Sequence, residues 1–119
     1  MYMVLMYSDP AETKAMSAAD REAVRRRHEA LHADESRVML NGAGLAYPER
    51  TITVRRDRGG PVVSEGPFMA GREHLTAYYV IDCQSAEHAA SIAERILDFH
   101  VTAVEVREIH DSFGMGSAE

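Results

Sequence analysis

The run HEALH, His28 to His32, sets two imidazoles four residues apart with a carboxylate, Glu29, between them. On a helix both rings reach one metal ion, with the carboxylate near enough to activate a bound water, which is the chemistry of metal-assisted peptide hydrolysis. A catalytic zinc also needs a third protein ligand. The chain after His32 carries neither a G-x-x-H continuation nor a second helix with a spaced glutamate before it turns into a strand within about ten residues. No metal is therefore expected at this motif. At about 100° per residue, His28 falls close to the stripe formed by Val24 and Leu31, and His32 falls on its flank. His28 should face the body of the protein, either as a core residue with a satisfied hydrogen bond or as the acid–base group of a cleft between helix and sheet.

The elements that must position these residues follow one another closely. YMVLMY, residues 2–7, reads as a strand with apolar residues on both faces, so both sides of it need cover. Ser17 and Asp20 form a capping box that starts a helix expected to run to about Arg37. VMLNGAGL, residues 38–45, reads as a strand in which Gly42 and Gly44 mark a bulge or a close backbone approach. TITVRR and PVVS flank the turn DRGG and form a hairpin. LTAYYVID is a further strand, Ser85 caps a second helix over AEHAASIAERIL, and VTAVEVREI closes the chain as a strand. The order gives an α+β, ferredoxin-like β-α-β-β-α-β fold with an extra hairpin, its two helices covering one face of an antiparallel sheet. The other face calls for a partner, and a homodimer with the sheets packed together is expected.

Composition narrows the function. The 119 residues, 45% of them hydrophobic, are expected to form one domain over 1–119. A net charge of −6, with basic residues scattered except for Arg25 to Arg27, argues against nucleic acid or an anionic membrane as the main partner. MYMVLMYSD has no positive leader and no apolar run reaches spanning length, so a cytoplasmic location is expected. One cysteine, Cys83, gives no intramolecular disulfide or zinc-finger spacing. GAGLAY has neither the spacing nor the strand-to-helix context of a dinucleotide site, and no cofactor is expected.

SEGPFMAGREHLTAYYVID resembles the DGPF signature of the YCII-related superfamily, DGPFAETKE followed by a hydrophobic strand ending in an acid. Glu65 to Phe68 stand for DGPF, Arg72 and Glu73 for the K-E pair, and YYVID at Tyr78 to Asp82 for the strand. Glu65 replaces the usual Asp, and Met69 to Gly71 replace A-E-T. MYMVLMYSD, VMLNGAGL and AVEVREI are similar to the family's first, second and last strands, so the likeness runs through nearly the whole chain. It implies a dimeric α/β-barrel scaffold similar to that of muconolactone isomerases, in which some members use a His/Asp pair in a cleft. Arg25 stands at the usual histidine position, with His28 nearly one turn later, and Asp98 in LDFHV is the matching acid. Many DGPF-type proteins instead resemble accessory proteins associated with extracytoplasmic-function sigma factors.

Two functional readings follow. One is an isomerase- or lyase-like enzyme on a small molecule, with His28 as base and Asp98 or Glu73 as its orienting partner. Phe68, Arg72 and Tyr78 would then bind the ligand, with the EGPF loop walling the cleft, because Gly66 and Pro67 fix a turn from which Phe68 can close a pocket. The other is a non-catalytic dimer that binds a ligand or a protein in a regulatory role.

Overall fold

The computed structural model describes residues 1–111, so residues 112–119 of the expected domain lie outside the described residues. Strand β1 (Tyr2–Ser8) lies between two antiparallel neighbours, β5 (His74–Ile81) and β6 (Ala103–Glu108), and β2 (Met39–Gly44) pairs with the far side of β5. The sheet order is therefore β2-β5-β1-β6. Each run from β1 to β2 and from β5 to β6 crosses over one intervening strand and carries a helix, which is the ferredoxin-like α+β arrangement.

Alternation along the strands decides what each side chain meets. Val4, Met6 and Ser8 of β1 are buried, and their register partners Tyr79 and Ala77 on β5 share that face. Val4, Met6, Tyr79 and Ile81 join Leu31 and the trio Ala89, Ile92 and Ile96 in one core, so both long helices cover the same side of the sheet. Met3, Leu5, Tyr78 and Val80 point to the opposite side and are half-buried. This is why the first strand reads as apolar on both faces.

The long helix α2 (Ala18–Asp34) starts as expected: Ser17 accepts from the Asp20 amide and Asp20 accepts from the Ser17 amide, a capping box. It ends at Asp34 instead of about Arg37. Leu31 is the last residue of its stripe to reach the core, and Met39 must already sit opposite Ile81, so residues 35–38 turn the chain. Helix α3 (Ala86–Ile96) begins at Ser85, whose hydroxyl accepts from the His88 amide at 3.1 Å. A short helix, α1 (Pro10–Lys14), forms ahead of α2, because the Asp9 side chain caps it and Pro10 suits a first helical position. No helix of the described residues is long and apolar enough to cross a membrane.

The hairpin of β3 (Ile52–Asp57) and β4 (Gly60–Glu65) forms a separate two-stranded sheet. Its Ile52, Val54 and Val63 are 71%, 63% and 67% exposed, so the hairpin stands off from the main core. The radius of gyration, 16.3 Å, exceeds the roughly 13.5 Å of a compact chain of this length for the same reason.

Candidate functional site

Between α2 and the β2–β5 side of the sheet lies a cavity of about 610 Å³. Helix α2 contributes Val24, His28 and His32; β5 contributes Tyr78 and Tyr79; β2 supplies a wall containing Gly42 and Gly44. Phe99 and His100, from the turn after α3, line it from the third side.

At its centre three polar atoms meet. The Tyr79 hydroxyl is hydrogen-bonded to His28 Nε2, and the same nitrogen lies 2.8 Å from Nε2 of His32. His28 is held by its ring neighbours, with centroids 5.6 Å from Phe99 and 5.7 Å from Tyr79. Tyr79 is placed by register, since it pairs with Val4 and so points to the helix-covered face. Gly42 lets it lie there: a Cβ at Gly42 would sit 2.6 Å from Tyr79 Cδ1.

Burial sets the protonation states. It pushes the Tyr79 phenol up to about 12, so the hydroxyl keeps its proton. Burial first, and the neighbouring His32 second, lower the pKa of His28 against a small upward pull from Glu29, so at neutral pH the ring is uncharged. A neutral His28 accepts the Tyr79 O–H at Nε2 and carries its own proton on Nδ1. That nitrogen has one lone pair, so a His32 Nε2–H at 2.8 Å and the Tyr79 hydroxyl compete for it. Protonating His28 at Nε2 reverses the polarity, and its N–H then donates to Tyr79 Oη or to His32. One proton can thus move within the cluster. His32 is exposed and links it to solvent.

The spacing is that of hydrogen bonds. Two nitrogens bound to one tetrahedral zinc at about 2.0–2.1 Å lie roughly 3.4 Å apart. Among the described residues no group of three or more His, Cys, Asp or Glu side chains is arranged to hold a metal ion. Glu29, the carboxylate of the HEALH motif, is engaged by Arg25 one turn earlier on the exposed side of α2.

The structure brings the His28 ring to this cavity, whereas Tyr78 borders it with its backbone and turns its ring to the opposite face of the sheet. Asp98 is not among its lining residues: its side chain is exposed, and its backbone carbonyl accepts from Arg27 Nη1 at 2.9 Å. The hydrogen-bond partners of His28 are a phenol and a second imidazole. Arg72 and Glu73 are exposed in the segment leading into β5. Phe68, 69% exposed, lines a separate hollow beside Tyr47, Met69 and Leu75.

The EGPF loop therefore does not wall the α2 cavity. Gly66, at φ 99°, donates its amide to the Thr51 carbonyl at 2.8 Å, and its own carbonyl accepts from the Thr53 hydroxyl at 2.7 Å. Both bonds fasten the loop to the base of the hairpin, away from α2. Tyr79 and His100 belong to the site without being marked by any motif. Strand alternation marks Tyr79, because the neighbour of Tyr78 must face the other side. His100 has φ 61°, the one non-glycine positive φ among the described residues, and no local sequence signal announces it.

The family model for the YCII-related domain matches residues 1–112. An uncharacterized protein of Rhizobium meliloti (strain 1021) is 33% identical over 95 residues, which cover 78% of this chain and 77% of that relative. With a match that takes in every described strand and helix, the chain belongs to the YCII-related domain family.

Proposed function

We propose that this chain binds a small, mostly apolar molecule in the α2 cavity and moves a proton on it, with His28 as the base. The observation that carries this reading is the neutral, half-buried His28 imidazole, hydrogen-bonded to the protonated Tyr79 and facing a cavity large enough for a small molecule. On a substrate with an acidic C–H beside a carbonyl, the Tyr79 hydroxyl turns away from the Nε2 lone pair, which takes the proton to give imidazolium, while the C–H bonding pair moves through the carbonyl onto its oxygen as an enolate. Returning the proton to another carbon completes an isomerisation. Expulsion of a β-leaving group by the same electron pair completes an elimination. Tyr79 orients the imidazole and keeps its own proton: its O–H donates to the neutral ring, and its oxygen accepts from the Nε2–H once His28 is imidazolium.

The test is exchange in D2O. A panel of small apolar ketones is incubated with the protein, and loss of the α-proton signal is followed by NMR. Wild type should exchange at least one of them faster than His28→Gln does; equal rates for both across the panel would leave the regulatory, ligand-binding reading in its place. The EGPF segment and the strand after it favour the DGPF-type branch of the family.

The half-buried outer face of Met3, Leu5, Tyr78 and Val80 supports a second copy of the chain as the cover for that side of the sheet.

A further inference from the structure

The lining of the α2 cavity is one-sided in charge. Its ionisable side chains are three imidazoles, His28, His32 and His100, and one phenol, Tyr79, since Tyr78 turns its ring to the outer face; among the described residues no Asp, Glu, Lys or Arg lines it. The wall can therefore gain positive charge near neutral pH and cannot gain negative charge there. His28 and His32 share a 2.8 Å contact between their Nε2 atoms. One added proton makes the pair a cation whose charge is shared across that N–H···N contact, and a second is resisted, because like charges that close oppose each other.

The charged groups around this pair lie outside the cavity. Glu29 on α2 is paired with Arg25, and Arg27 is bound to the Asp98 carbonyl. Strand β2 carries no ionisable residue, and β5 meets the cavity with one ionisable side chain, Tyr79. Asp20, at the start of α2, has its carboxyl held low by the Ser17 amide and hydroxyl and, more weakly, by the charge of His100.

We infer that the ligand of this cavity is a small apolar acid, carboxylic, phenolic or enolic, bound as its anion against a proton shared by His28 and His32. This rests on the cavity being the ligand site and names the chemistry that fills it. At a pH where the free acid is ionised and the imidazoles are neutral, binding takes up one proton from solvent, and the anion and the imidazolium neutralise each other. An amine of the same shape finds no carboxylate on the lining and is excluded. An enolate formed by proton abstraction has the same charge, so the imidazolium left at His28 faces an oxygen anion of the kind the site selects.

The experiment uses three probes of one shape, 2-naphthoate, 2-naphthamide and 2-naphthylmethylamine, with the full chain, by calorimetry between pH 6 and 8 in two buffers of different ionisation heat. Naphthoate should bind tightest, take up about one proton, and lose affinity toward about tenfold per pH unit above the imidazole range. Naphthamide should bind more weakly with no pH slope, and the amine weakest. His32→Gln should flatten the naphthoate slope while leaving naphthamide binding in place. Naphthamide binding as tightly as naphthoate, or naphthoate binding without proton uptake, overturns the inference and leaves the cavity as the ligand site. If none of the three probes shifts the NMR signals of His28 and His32, the inference and the site fall together.

Discussion

Gly42 and Tyr79 touch across the β2–β5 pair so closely that a methyl group at Gly42 would lie 2.6 Å from Tyr79 Cδ1 and 2.5 Å from the Tyr78 carbonyl oxygen. The bare backbone at Gly42 sets where the phenol lies, and the phenol sets where His28 Nε2 finds its partner. Glycine is required here for space: the second neighbour is backbone, which cannot move aside as a flexible side chain would. Gly42→Ala should cost about 1–3 kcal/mol, the usual range for overpacking, and should displace the tyrosine ring. Urea unfolding reads the first effect, and a changed His28 ring signal in NMR reads the second.

Stability should depend on pH through His28. Its native pKa lies below 6.5, with burial as the leading cause, so below 6.5 the unfolded chain takes up the proton more readily than the native one. The contribution is fully present above 6.5 and is lost as pH falls through the lowered native value. Urea midpoints measured from pH 7.5 down to pH 5 should fall more steeply in wild type than in His28→Gln.

Much of the frame was legible because it rests on short-range rules. Ser17 with Asp20 announced α2, Ser85 announced α3, and helical phase turned His28 inward, where it is half-buried on the cavity. What escaped depended on partners distant in sequence. The choice between Tyr78 and Tyr79 as partner of His28 follows from register against β1, which pairs Tyr79 with the buried Val4. Asp98 carries a suitable carboxylate, yet the turn after α3 leaves it outside while bringing Phe99 and His100 to the cavity. The loop at Glu65 to Phe68 announces the family, but where it lies is decided by two hydrogen bonds to Thr51 and Thr53.

The outer sheet face yields a prediction about assembly. Leu5 sits opposite Tyr78 at the middle of that face, away from the α2 cavity lining supplied by β1. Sedimentation of the wild type should give a dimer at micromolar concentration, and Leu5→Arg should give a monomer with the same far-UV circular dichroism. A wild-type monomer would remove the second copy from the account.

The central claim, that His28 and Tyr79 act as one proton-handling unit in the cavity, is tested most directly by a double-mutant comparison of D2O exchange on the best ketone of the panel. Groups that work as a unit give strongly non-additive losses. His28→Gln and Tyr79→Phe should each slow exchange at least about tenfold, and the double variant should be about as slow as the slower single one. Losses that multiply, or a Tyr79→Phe protein that exchanges at the wild-type rate, would contradict it.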